Sequence, residues 1–283
     1  VGQELETLAE ITAVKREKQA AIVHDWQNKW ALEGSCGPRN AGMGYWDELK
    51  RHYNALAREG IAVEFVDQNA DLTGYGLVVV PMLYLLTDAF AKKLCAFAQS
   101  GGTVIVTYWS GVVDESDLCR LGDTPYGLIE LLGLRRTEID GMYDGETRRC
   151  VPSAGCTLPA AQASTLCEVA ALDEKDPAEP LSLYAEDYFA GHPAAAVHRY
   201  GKGRAYYLAS RFDEAFYRAF YHDAAKEIGL SPAWPEALPE GVLAVRRGSF
   251  VFVQNCTEQP ATVGNTVLDR YRTAVWKDMD RIF

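Results

Sequence analysis

Four short apolar runs constrain this chain more than any other feature. They are Ala20-Ala-Ile-Val-His24, the alternating Ile61–Val66, Leu77–Pro81 and Thr103–Thr107. Runs of this length, separated by helix-like stretches of about 10–15 residues, read as βαβ units with right-handed crossovers and a parallel sheet covered on both faces. The intervening stretches support that reading. Trp46, Leu49, Tyr53 and Leu56 give helical spacing over 45–58, closed by Gly60. A second helix begins at Thr87 with Asp88 in its first turn, buries Phe90, Leu94 and Phe97, and stops at Gly101-Gly102. The stretch after Asp25 reads as a polar, aromatic loop. Ahead of the first strand, Leu5, Leu8, Ile11 and Val14 recur every three residues, which predicts one amphipathic helix over Val1–Lys18. Such a helix needs something to pack on, and a start at Val suggests a processed or cut chain.

Beyond Gly111 the rhythm loosens. Pro125–Leu132 is predicted as a short helix, and 135–163 as a polar excursion. Strands are predicted over 181–188, 194–200 and 204–209, the last two joined as a hairpin through Tyr200-Gly-Lys-Gly203. Phe212–Ile228 reads as the last helix. Pro232, Pro235 and Pro239 then mark a linker, and the tail from Gly241 reads as a small antiparallel β module. The predicted fold class is therefore α/β, a flavodoxin-like or amidotransferase-like parallel sheet with helices on both faces, followed by that β domain.

Charge and motifs narrow the chemistry. Among 283 residues, 28 basic against 39 acidic side chains leave a net charge of −11, which argues against nucleic acid or an anionic membrane as the main partner. The seven cysteines, at 36, 95, 119, 150, 156, 167 and 256, include no pair at the two-residue spacing of a zinc knuckle or redox dithiol. Free thiols in a reducing cytoplasm are the expectation, with a Cys150–Cys156 bridge as the alternative. No P-loop, dinucleotide fingerprint or His-Glu-x-x-His motif occurs, so no metal and no cofactor are expected. Asp114, Glu115 and Asp117 sit in one loop as a solvated or capping cluster, not as a separated glycosidase pair. Asp140, Asp144 and Glu146 surround a turn.

The order of strands with a late hairpin resembles the class I glutamine amidotransferase-like fold, which carries a nucleophilic cysteine on the turn after a strand. The matching turn here offers Tyr108, Trp109 and Ser110 and no cysteine. Ser110 with His192 or His198 is the alternative nucleophile and base, although it lacks the Gly-x-Ser-x-Gly frame. The stronger signal is aromatic. Trp26 and Trp30 follow the first strand, and Tyr108 and Trp109 follow the fourth. Loops after strand C-termini converge on one edge of an open parallel sheet. With Arg39 and Asn40, these rings suit a subunit interface or a sugar platform, the second of which would make the chain a carbohydrate-binding module.

Longer strings carry a family resemblance. Ala20-Ala-Ile-Val-His-Asp-Trp-Gln-Asn-Lys-Trp-Ala-Leu-Glu33, Gly37-Pro-Arg-Asn40, Val78-Val-Val-Pro-Met-Leu-Tyr84, the segment 101–119, Tyr143-Asp-Gly145 and Tyr200-Gly-Lys-Gly-Arg-Ala-Tyr-Tyr207 resemble β-galactosidases of glycoside hydrolase family 42, from about residue 4 to the end. The resemblance implies a barrel, then a trimerisation domain, then a small β domain. A catalytic barrel takes about 250 residues, and too few precede the first strand. The family's acid/base is a Glu directly after an Asn. Asn28, Asn40, Asn54, Asn69, Asn255 and Asn265 are followed by Lys, Ala, Ala, Ala, Cys and Thr. No catalytic residue is carried over, and the chain alone is expected to be inactive. The implied domains are 1–18, a remnant helix of the barrel; 19–231, the trimerisation domain; and 232–283, the linker and β domain. The implied partners are two further copies, the parent's barrel and, through that barrel only, a β-galactoside.

Overall fold

The computed structural model describes residues 6, 8–14, 17–35, 42–278 and 280–281. A 3-10 helix at Ala9–Ala13 precedes β1 (Ala20–Val23), α1 (Trp26–Gly34), α2 (Tyr45–Arg58), β2 (Val63–Val66), β3 (Leu77–Val80), α3 (Asp88–Gln99) and β4 (Thr103–Thr107). Then follow α4 (Ile129–Leu132), β5 (Leu134–Gly141), β6 (Arg148–Pro152), β7 (Ala161–Leu172), β8 (Glu179–Tyr184), β9 (Pro193–Tyr200), β10 (Gly203–Leu208), β11 (Ser210–Phe212) and α5 (Glu214–Ile228). The tail holds β12 (Val242–Arg247), β13 (Phe250–Asn255), β14 (Ala261–Val263), β15 (Thr266–Leu268), β16 (Thr273–Lys277) and β17 (Asp280–Arg281).

Among the described residues β1 to β11 form one sheet, and it is mixed rather than parallel. Its parallel half runs β2-β1-β3-β4-β10. From β10 onward, through β9, β8, β6, β7 and β11, every pairing is antiparallel. Period-2 geometry splits the apolar strands between two cores. Ile22, Val79 and Ile105 face α2 and α5, whereas Val23, Val78, Val80, Val104 and Val106 face α3. The tail is a separate four-stranded sheet plus the β14–β15 ribbon, with its own core around Trp234, Val251, Val253 and Trp276.

Several elements depart from expectation for identifiable reasons. The loop expected after Asp25 is α1. The Asp25 carboxylate caps it, accepting from the Gln27 and Asn28 amides at 2.8 and 3.2 Å, which no apolar periodicity announces. The excursion at 135–163 contains β5, β6 and the start of β7. These strands bury few of their residues and are held by pairing to β7 and β8. Phe212 ends β11 opposite Ala163, so the last helix starts only after Asp213, which caps Phe216 N at 3.0 Å. The short helix shrinks to α4, and the strand from 181 stops at Tyr184. Much of the predicted Val1–Lys18 helix lies outside the described residues. Within them Ile11 is buried against Phe250 and Val275, so this segment packs on the β module.

Candidate functional site

The C-terminal ends of β1, β3 and β4 build one continuous edge. Asn28 in α1 is fully buried and donates to the Met82 carbonyl at 3.1 Å while accepting from Leu85 N at 2.9 Å. Gln68 ties Asp25 (3.3 Å) to the Leu85 carbonyl (3.1 Å). The 82–86 loop in turn bonds the segment after β4, with Gly111 N donating to Leu83 O at 2.9 Å and Leu86 N to Val113 O at 3.2 Å. Anchored in this way, α1 turns Trp26 and Trp30 to solvent, 54% and 61% exposed, and Trp46 in the first turn of α2 joins them at 44%. Ring centroids lie 6.3 Å (Trp26–Trp30) and 5.9 Å (Trp26–Trp46) apart. His24 lies among them, 4.7 Å from Trp46 and 5.1 Å from Trp26. Burial lowers its pKa, outweighing the pull of Asp25, so the centre of the cluster is uncharged at neutral pH.

The other expected rings do not reach this surface. Tyr108 is fully buried and Trp109 nearly so, stacked on Tyr84 at 5.6 Å, because the chain after β4 turns inward instead of out. Arg39 and Asn40 lie outside the described residues. Ser110 is not an available nucleophile. It is fully buried, its hydroxyl accepts from Leu83 N at 3.0 Å, and His192 and His198 bond the Ala170 and Leu131 carbonyls. The six described cysteines are free, Cys150 and Cys156 included. Burial pushes the Cys150 and Cys167 thiols up to about 12, which keeps them protonated and unreactive. Asp114 caps its own turn, accepting from Ser116 N and Leu118 N. Among the described residues no cluster of His, Cys, Asp or Glu has the placement to hold a metal, and no helix is long and apolar enough to cross a membrane.

Beneath the edge lie two buried carboxylates that the sequence reading missed. Glu48 accepts from Arg211 Nε at 2.8 Å, Tyr217 OH at 2.9 Å and Tyr108 OH at 3.1 Å, with His52 Nε2 3.3 Å away. Glu168 accepts from Arg136 at 2.7 Å, from the Trp109 amide at 2.9 Å and from the Tyr207 hydroxyl. Trp109 holds φ at +59°, a left-handed conformation unusual for a bulky residue, and its amide bond to Glu168 helps fix the turn. A signal for Glu48 existed, since it falls on the same buried helical stripe as Leu49, His52 and Leu56.

Burial works against the Glu48 charge, but His52, Arg211 and Tyr217 overcome it and hold the carboxyl at about 2, below its ordinary 4.5. Below pH 4.5 the unfolded chain therefore takes up a proton that the folded chain refuses. The stabilisation is complete above 4.5 and is lost as pH falls toward 2, amounting to about 3 kcal/mol. Urea unfolding of the wild type and Glu48→Gln at successive pH values checks this. Their stability difference should shrink across that window, and a constant difference would refute the assignment.

Comparison with known proteins places this architecture. A family profile described as the beta-galactosidase trimerisation domain matches residues 18–231. The chain is 43% identical over 270 residues to beta-galactosidase BglY of Alicyclobacillus acidocaldarius, covering 93% of itself and 39% of that protein. Among solved structures it is similar to a beta-galactosidase from Rahnella sp. R3 (TM-score 0.90, 38% identity, 98% of this chain and 43% of that one). It is also similar to Gan42B, a GH42 beta-galactosidase from G. stearothermophilus (TM-score 0.87, 28% identity, 97% and 42%). The chain thus spans about two fifths of the length of these relatives. With the profile match and the mixed sheet in agreement, the chain belongs to the beta-galactosidase trimerisation domain family.

Proposed function

We propose that this chain is the non-catalytic, trimer-forming region of a β-galactosidase that hydrolyses terminal β-D-galactosides. The observation that carries this reading is the family match over 18–231 in a chain that covers only 39% of BglY. In this reading residues 19–231 form the trimerisation domain, 232–283 the linker and β domain, and 1–18 the end of a preceding barrel. The partners are two further copies and that barrel. The galactoside meets the barrel alone, and no cofactor is used. The flavodoxin-like, amidotransferase-like ancestry is supported by the parallel half of the sheet, the β9–β10 hairpin and the left-handed turn at Trp109, where no cysteine stands. Six free cysteines favour a reducing, cytoplasmic setting, and the net charge of −11 disfavours phosphate-rich partners.

Two measurements test the proposal. Purified chain should give no turnover of a chromogenic β-galactoside above background, and measurable hydrolysis would overturn the non-catalytic reading. Light scattering should return three times the chain mass at micromolar concentration, whereas a clean monomer would show that this region does not assemble by itself.

A further inference from the structure

α2 and α5 enclose a small cavity, about 180 Å³, whose charge runs against that of the chain. Helical spacing builds it. Arg51, Ala55 and Arg58 fall on one face of α2, and Glu214 and Arg218 on one face of α5. Ala55 and Tyr217, both buried, form the floor, and the short alanine side chain leaves the space between the helices open.

The carboxylates within a turn of these arginines already hold other cations. Glu214 pairs with Arg58, which also reaches Glu240 at 3.7 Å. Asp47, one turn before Arg51, is held by Lys50 at 2.8 Å. Glu48 lies buried below and is neutralised by Arg211 at 2.8 Å. Among the described residues Arg51 and Arg218 form no hydrogen bond and no ion pair. Three guanidinium groups thus line the cavity against one carboxylate. Four other cavities, of about 300 to 750 Å³, hold at least as many carboxylates as lysines and arginines. The excess of positive charge distinguishes the α2–α5 cavity from them.

We propose that this cavity binds one phosphate group, as the free ion or as the monoester of a small carrier, through Arg51 and Arg218. Two unneutralised guanidinium groups match the two charges of a phosphate dianion, and their planar forks suit its oxygens. A carboxylate brings one charge and two oxygens. Sites that enclose drug-sized ligands run to roughly 300–1,000 Å³, so a cavity of about 180 Å³ takes the phosphate and leaves most of a carrier outside. The net charge of −11 repels polyanions from the surface as a whole, whereas a single small ion meets chiefly the nearest charges, because salt screens the rest. The site is independent of whether three copies assemble.

Calorimetry with inorganic phosphate at constant ionic strength tests this on the wild-type chain and on Arg51→Gln, Arg218→Gln and Arg270→Gln. All three arginines are exposed and free of ion pairs among the described residues, and circular dichroism confirms that each variant is folded. Arg270, on the β module, is the control. One phosphate per chain should bind, roughly 10-fold or more weaker in Arg51→Gln and in Arg218→Gln and unchanged in Arg270→Gln. Glycerol phosphate in a parallel titration separates the two sources. Tighter binding than inorganic phosphate identifies an ester, and equal binding identifies the free ion, each with the site intact. The absence of saturable heat at millimolar phosphate would overturn the proposal. So would binding that neither cleft variant weakens, or acetate competing as well as phosphate.

Discussion

Arg211→Met should destabilise the fold by about 3–5 kcal/mol, because it leaves the fully buried Glu48 carboxylate without its cation. In a chain of this size that corresponds to a fall of roughly 10 °C in the melting midpoint. Two further consequences separate this from a generic packing loss. The Glu48 carboxyl should titrate closer to its ordinary value once the guanidinium is gone, so acid unfolding begins at higher pH than in the wild type. The Arg211 side chain also donates to the Met43 carbonyl at 2.6 Å, just before α2 begins at Tyr45. Its loss therefore loosens the entry to the helix that carries Trp46. The double variant Glu48→Leu/Arg211→Met should recover a substantial part of the stability, since charge and counter-charge leave together. Recovery is incomplete because the Tyr108 and Tyr217 hydroxyls lose their acceptor. Urea titrations of the three proteins decide the matter. A double variant no better than Arg211→Met would show that the ion pair is not the origin of the effect.

Gly203→Ala should be comparably severe for a reason unrelated to charge. A methyl group at residue 203 would lie 2.1 Å from the Gly102 carbonyl oxygen and 2.5 Å from that of Ala98, both backbone atoms. No side chain there can swing aside, so β10 must draw away from the start of β4 or α3 must shift its last turn. A loss of about 3 kcal/mol is expected from such overpacking. Gly155→Ala is the useful contrast. Its φ is +83°, yet nothing lies within 4 Å of the added methyl, so only the backbone preference is lost, about 1 kcal/mol. Thermal melts of both variants should rank them in that order, and equal losses would contradict the close approach at Gly203.

The elements legible in the sequence were those with a strong local signal. β1, β3 and β4 are fully buried apolar runs, and α2 follows its apolar spacing to the residue. α1 was missed because its tryptophans face outward and its start is specified by one capping carboxylate. β5 and β6 were missed because their stability comes from pairing with β7 across long sequence separations, not from their own composition. At the functional edge, the sequence identified aromatic residues but not their fate. Trp26 and Trp30 are exposed, whereas Tyr108 and Trp109 turn inward. What decides between these outcomes is the pair of buried carboxylates that receive Tyr108 and the Trp109 amide, and such partners come from β7, β11 and α2, far away in the chain.

The placement of β10 beside β4 has a consequence for how the chain is made. Thr103 pairs with Arg204, so the inner strand of the parallel half waits about 100 residues for its neighbour. During synthesis or refolding, β4 spends that interval as an open edge of five residues, Thr-Val-Ile-Val-Thr, all of them β-branched and all buried in the finished fold. An unprotected strand of this kind recruits the same strand from another molecule. Such long-range closure is also slow. The yield of soluble protein should accordingly fall as refolding concentration rises, and chains ending before Gly203 should precipitate even though every element up to β9 is present.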